Sequence, residues 1–197
     1  MSTRPTIVVL AAGQGSRFGG SSHKLAQAFG PGTVLGGTLR HALETRSPVV
    51  VVTTAPLAGE AARWIATRDT VLLSDAEAAR GMGHSIAAGV SATADAAGWL
   101  ILPGDMPLIR PGSIDAVADA LADHPVAYAQ HLGRRGHPVG FGAELYSELI
   151  GLSGDEGARR LIARYPAVGV EVDDPGVLMD VDTEADLAAA RAAAGVA

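Results

Sequence analysis

Apolar residues come in short, unbroken runs separated by longer mixed segments. Thr6–Leu10, Val49–Thr54, Thr70–Leu73 and Gly98–Leu102 lack the alternation of a half-exposed strand. They read as strands covered on both faces, as in a parallel sheet. Between them the apolar positions fall at helical spacing, over Thr38–Thr45, Leu57–Thr67, Ser85–Ala94 and Ile114–Leu121. Ala61, Trp64 and Ile65 share one face of the second of these, and Ile114, Val117, Ala118 and Leu121 one face of the last. Pro48 ends the first helical segment. Such alternation predicts a layered α/β fold with a mostly parallel sheet.

The later part is less regular. Val126–His131 and Pro138–Phe141 are candidate strands flanking the turn-rich Gly133–Gly136, and Val168–Val172 is another. Ala143–Ile150 and Glu156–Tyr165 read as helices. Met179-Asp180-Val181-Asp182-Thr183 leads into a last helix, Glu184–Ala194, for which Thr183 is a natural N-cap. No repeat, linker or low-complexity stretch divides the sequence, so residues 1–197 are expected to form one domain.

Composition narrows the function. The chain has 197 residues, 48% hydrophobic but only 4% aromatic, so its core must be aliphatic. It has no cysteine, which excludes thiolate chemistry. The net charge of −6, without a basic stripe, argues against nucleic acid. No leader pattern or long apolar stretch is visible, so no membrane association and a cytoplasmic location are expected.

The chemistry begins after the first strand, where Val9–Gly20 breaks into glycines and small residues and is followed by Ser21-Ser22-His23-Lys24. Such a loop can turn its N–H groups onto an anion, and Arg17 and Lys24 add two cations. Lysine and arginine total 15, and Lys24 is the single lysine, leaving 14 arginines. A compact ammonium is not interchangeable with a guanidinium, so its placement here marks a functional group. Asp105 follows a buried strand at the edge where open α/β folds bind ligands, between the stiffening Pro103 and Pro107. It is a candidate ligand for Mg²⁺, which needs few carboxylates when substrate phosphates supply the rest. Asp182 is either a second ligand or a helix cap, and Asp180 the more natural cap or solvent-facing partner.

The loop Leu10-Ala11-Ala12-Gly13-Gln14-Gly15-Ser16-Arg17-Phe18-Gly19 with Lys24 resembles the signature of the nucleotide-diphospho-sugar transferase superfamily. Four further segments resemble its MobA-like NTP transferase branch, close to the molybdenum cofactor cytidylyltransferases. They are Gly81–Ile86, Leu102–Pro107, Arg135–Val139 and Gly154–Arg159, joined by the Asp180–Thr183 turn.

The resemblance implies a three-layer α/β/α, Rossmann-like fold. It also implies Mg²⁺-dependent transfer of a nucleotidyl group from an NTP, CTP first, to a phosphorylated acceptor of molybdopterin type, with a molybdoenzyme as possible recipient; GTP or a different phosphorylated acceptor is the alternative within the same chemistry. By the same resemblance, Leu10, Ala11, Ala12, Gly13, Gly15, Arg17 and Lys24 would hold the triphosphate. Gly81, Gly83 and Ser85 would lie against base and ribose, His137 would face the acceptor, and Asp105 and Asp182 would hold metal. Arg17, Lys24 and Asp105 would carry the catalysis. After Lys24 the family's L-L-x-P-L-x-G-x-P-L gives way to Leu25-Ala26-Gln27-Ala28-Phe29-Gly30-Pro31-Gly32-Thr33-Val34-Leu35, so the acceptor is where this chain is expected to differ.

Two other classes compete. In a nicotinamide-dependent reductase the loop should read G-x-G-x-x-G and an acid should follow the second strand. Here the loop is G-x-G-x-x-x-G and the strand ends Thr53-Thr54-Ala55-Pro56. A non-catalytic cofactor-delivery protein would carry the same binding loops. The six histidines have no zinc-site spacing. Asp155 and Arg159, four apart, read as a surface pair.

Overall fold

The computed structural model describes residues 3–13 and 23–196. Strand β1 (Thr6–Ala11) is followed by a short hairpin, β2 (Ala28–Phe29) and β3 (Gly32–Thr33), and by α1 (Val34–Leu43). Then come β4 (Val49–Thr54), α2 (Ala55–Ala61), β5 (Thr70–Leu73), α3 (Asp75–Ala78) and α4 (Met82–Ser91). The second half contains β6 (Gly98–Pro103), α5 (Pro111–Ala120), β7 (Val126–His131) and β8 (Arg134–Gly142). It closes with α6 (Tyr146–Ile150), α7 (Arg159–Arg164), β9 (Ala167–Glu171) and α8 (Glu184–Ala194).

Seven strands form one sheet in the order β5-β4-β1-β6-β8-β7-β9. β8 alone runs against its neighbours β6 and β7, and the other pairings are parallel. The side chains of β1 alternate between two cores. Ile7, Val9 and Ala11 join Leu35, Leu39, Leu57, Ile114, Val117 and Leu187, from α1, α2, α5 and α8. Val8 joins Ile86, Val90, Leu149 and Leu161, from α4, α6 and α7. The architecture is therefore three layers, α/β/α, around a mostly parallel sheet. Gly89 lets α4 lie close on the sheet, since an added Cβ would come 2.4 Å from the Val8 side chain.

Several boundaries differ from the sequence expectation. Helix α1 starts at Val34 rather than Thr38, because Thr33 Oγ1 accepts from the Gly36 N–H at 3.0 Å and caps it there. Helix α4 starts at Met82, which places Ser85 inside it rather than at its head. The predicted helix over 57–67 stops at Ala61, and the one over 156–165 is confined to Arg159–Arg164. The pair across its foot is Glu156–Arg160, not Asp155–Arg159. Arg134, Arg135 and Gly136 belong to β8, so the turn before it falls at Leu132 and Gly133, both with positive φ.

Candidate active site

The site starts from the register of β1 and β6. Leu10 pairs with Pro103, so both strands end at one edge of the sheet. The Gly104 N–H then donates to the Leu10 carbonyl at 2.9 Å, and Thr38 Oγ1 donates to the Gly104 carbonyl at 3.0 Å. An added Cβ on Gly104 would lie 2.9 Å from the Leu10 oxygen, so only glycine lets the two chains meet this closely. Asp105, the next residue, is thereby fixed beside the start of the glycine-rich loop.

Lys24 reaches this point from the far side of that loop. It opens a single 3-10 turn, Lys24–Ala26, anchored by the buried Leu25. Its Nζ donates to Asp105 Oδ2 at 2.6 Å and to Asp182 Oδ1 at 2.7 Å. The three side chains are mostly shielded, with 13%, 14% and 22% of their surface exposed for Lys24, Asp105 and Asp182. Burial alone would lower the Lys24 pKa, but the charges and hydrogen bonds of Asp105 and Asp182 outweigh it and hold the ammonium above its ordinary value.

The N-cap of α8 is not Asp182. The cap of α8 is Thr183, whose hydroxyl accepts from the Asp186 N–H, and Asp186 Oδ2 closes the box on the Thr183 N–H. Asp180 does not cap it either. It is exposed, as the solvent-facing alternative expected, and its pKa is raised by partial desolvation first and then by the charges of Asp105 and Asp182. The two carboxylate segments are joined directly, since the Val181 N–H donates to the Asp105 carbonyl at 2.9 Å.

Of the proposed triphosphate residues, Leu10 and Ala11 already engage their carbonyls, with the Gly104 N–H and with Thr53 Oγ1. Ala12 is buried. Gly13 is exposed and, among the described residues, has nothing within 4 Å of where a Cβ would lie. Gly15 and Arg17 lie outside the described residues. The loop's ends are tied by His23, whose Nε2 is 2.7 Å from the Gly13 carbonyl. His23 Nδ1 accepts from the Leu25 N–H at 3.2 Å, so Nε2 carries the proton and is the donor.

Gly81 and Gly83 have a packing reason of their own. A Cβ on Gly83 would fall 2.8–2.9 Å from backbone atoms of Ser153, and one on Gly81 2.4 Å from the Gly154 carbonyl carbon. The Gly83 N–H donates to the Gly154 carbonyl and the Gly154 N–H to the Arg80 carbonyl, both at 2.9 Å. The space beside these glycines is thus filled by the chain's own 153–155 turn. Ser85 is buried within α4. His137 stands near the head of β8, before a cis bond to Pro138, with its Nδ1 buried and unpartnered among the described residues. Burial holds its pKa below the ordinary histidine value, although the charge of Asp180 opposes this. It therefore sits on the side of the carboxylates without touching Lys24 or Asp105 through any hydrogen bond described.

The donor set suits a magnesium-like ion, which takes oxygen ligands, few from protein and the rest from water and phosphate. Asp105 and Asp182 already share one cation. Asp105 Oδ1 is buried and has no hydrogen-bond partner among the described residues. No three Asp, Glu or His side chains among the described residues are placed to ligate together, so any ion here would need ligands from the substrate.

Two contributors escaped the sequence reading. His23 shows no signal beyond adjacency to Lys24. Asp174 is 2% exposed and accepts from the Arg110 N–H, Ser113 Oγ and the Gly176 N–H at 2.7–2.9 Å. It binds the loop after Asp105 to the segment before Asp182, from 61 residues away in sequence.

A Rossmann-like sheet with a glycine-rich loop after β1, a lysine and an aspartate pair at its carboxyl edge defines a nucleotide-handling α/β protein. The chain belongs to the MobA-like NTP transferase domain family, which matches residues 7–168. It is 37% identical over 112 residues to the purine catabolism protein PucB of Bacillus subtilis, covering 54% of each chain. It is 32% identical over 151 residues to the bifunctional protein GlmU of Cereibacter sphaeroides, covering 73% of this chain and 33% of that one. The match thus spans about half and a third of these relatives. Among solved structures, Rv0371c of Mycobacterium tuberculosis superposes with a TM-score of 0.81 at 27% identity, over 96% of this chain and 98% of that one. The same protein has been solved in complex with manganese, with a TM-score of 0.79 at 26% identity and the same coverage of each chain.

Proposed function

We propose that this chain is a divalent-metal-dependent nucleotidyltransferase, acting as a single domain in the cytoplasm. It would move a nucleoside monophosphate from an NTP, CTP first, to a phosphorylated acceptor of molybdopterin type, for delivery to a molybdoenzyme. The observation that carries this reading is Lys24 Nζ held between Asp105 and Asp182 at the end of β1 and β6. The family membership and the manganese complex of the Mycobacterium protein support it.

In this reading an acceptor phosphate oxygen attacks the α-phosphorus. The bond from that phosphorus to the bridging β-oxygen breaks, and pyrophosphate leaves with the electron pair. The acceptor is already ionised near neutral pH, so no general base is needed. A divalent ion, Mg²⁺ by preference, would neutralise charge on the phosphate oxygens, and Asp105 and Asp182 would hold it. Lys24 would meet the α-phosphate and Arg17 the departing pyrophosphate, with N–H groups from Gly13 to Arg17 around the triphosphate. Gly81 and the first turn of α4, with Gly83 and Ser85, would flank base and ribose, and His137 the acceptor.

The test is pyrophosphate release with Mg²⁺ or Mn²⁺, each NTP in turn and a molybdopterin-type acceptor. Release with one NTP should fall by about 10²–10³ in Asp105→Asn and in Lys24→Ala, the scale of losing one charge-stabilising group. Tight nucleotide binding without release from any pair would instead identify a delivery protein.

A further inference from the structure

Lys24 brings a positive charge to the point from which any cation would neutralise Asp105 and Asp182. Its Nζ contacts one oxygen of each, at 2.6 and 2.7 Å. A Mg²⁺ ion ligated by the pair would need about 2.0–2.1 Å to oxygens of the same two groups. Two cations cannot both be close to this pair without strong mutual repulsion in a shielded pocket.

We propose that Lys24 and the divalent cation compete for one position, so that arrival of the cation releases Lys24 toward the triphosphate. This rests on the transferase reading and specifies its substrate as the metal–triphosphate chelate rather than metal and nucleotide taken separately.

Two further observations support the exchange. The backbone under Lys24 is fixed, by buried Leu25 and by the His23 bond to the Gly13 carbonyl, so the flexible four-carbon stem can swing without moving the turn. Asp105 Oδ1 is buried and unpartnered among the described residues, so an arriving cation has an oxygen to approach first, before the ammonium leaves Oδ2.

Free metal must displace an ammonium that has nowhere better to go. Metal carried by a triphosphate brings the ammonium a new anionic partner. Metal and triphosphate should therefore strengthen each other's binding, and Lys24 should be the residue that couples them.

The coupling is read by Mn²⁺ binding without turnover, in calorimetry or by the spin resonance of free Mn²⁺. Lys24→Met keeps the stem and removes the charge. It should bind Mn²⁺ in the absence of nucleotide about tenfold tighter than the wild type, within the range of ordinary ligand coupling. A non-hydrolysable CTP analogue should tighten Mn²⁺ binding in the wild type and much less in the variant. Unchanged or weaker Mn²⁺ binding in a folded Lys24→Met protein would overturn the proposal.

A second measurement needs no variant, because Lys24 is the only lysine. Protein labelled with ¹³Cε-lysine gives one side-chain signal, which should shift as Mg²⁺ saturates the site. A signal that stays in place at saturation overturns the exchange. If pyrophosphate release is retained in that case, the transferase reading survives alone. If neither protein binds Mn²⁺ with or without the CTP analogue, both readings fall.

Discussion

At Gly83 there is room for a hydrogen and nothing larger, because three backbone atoms of Ser153 lie 2.8–2.9 Å from the position of a Cβ. Gly83→Ala should therefore lose about 1–3 kcal/mol in denaturant unfolding, the usual cost of overpacking. Gly13 is the opposite case, with no described residue within 4 Å of where its Cβ would point. Gly13→Ala should melt near the wild-type temperature and still weaken nucleotide binding in a titration. In the sequence these glycines look alike, each set in a turn between apolar segments. What separates them is a neighbour seventy residues downstream in one case and none in the other, which no local pattern records. Lys24 and Asp105 were legible for the converse reason. Each is marked by local chemistry, a solitary lysine after a glycine-rich loop and a carboxylate after a buried strand.

Strands were easier to read than helices. Val49–Thr54, Thr70–Leu73 and Val126–His131 emerge with the expected ends, since each is an apolar or β-branched run bounded by breakers. Helix starts are set by local details: the Thr33 cap moved α1 four residues earlier, and α4 begins three residues early, after Gly81 at positive φ. Helix α8 is the exception, because Thr183 caps it as its residue type suggests. Thr183→Ala should cost about 1 kcal/mol in a thermal or chemical melt. The β2–β3 hairpin, two residues a side, leaves no periodicity to detect. Asp174 was illegible because its role is to join two loops. Asp174→Ala would orphan the Arg110 N–H, Ser113 Oγ and the Gly176 N–H, at about 1–3 kcal/mol for each buried group left unpaired. The same variant should loosen the alignment of Asp105 with Asp182, and so weaken Mn²⁺ binding at temperatures well below its melt.

For the molecule as a whole, acid is the expected weakness. His41 and His137 both have pKa values lowered chiefly by burial, with Arg40 adding to the effect at His41. Their neutral forms are the ones the fold accommodates. Each contributes stability that is fully present above the unfolded histidine value of about 6.5 and is lost as pH falls through the folded value. Unfolding free energy should therefore decline between pH 7 and pH 5, with a shallower slope in His41→Gln, measured by denaturant titration at each pH. Among the described residues no helix is long and apolar enough to cross a membrane.

The bond from the Val181 N–H to the Asp105 carbonyl has a consequence in time. Asp182 lies beyond residue 168, where the family match ends, and a ribosome synthesises it 77 residues after Asp105. A nascent chain that has already laid down the glycine-rich loop, Lys24 and Asp105 still holds half of a cation site. The second carboxylate arrives only with the segment before α8, so a polypeptide interrupted between Asp105 and Asp182 carries the loop without the complete metal-holding pair.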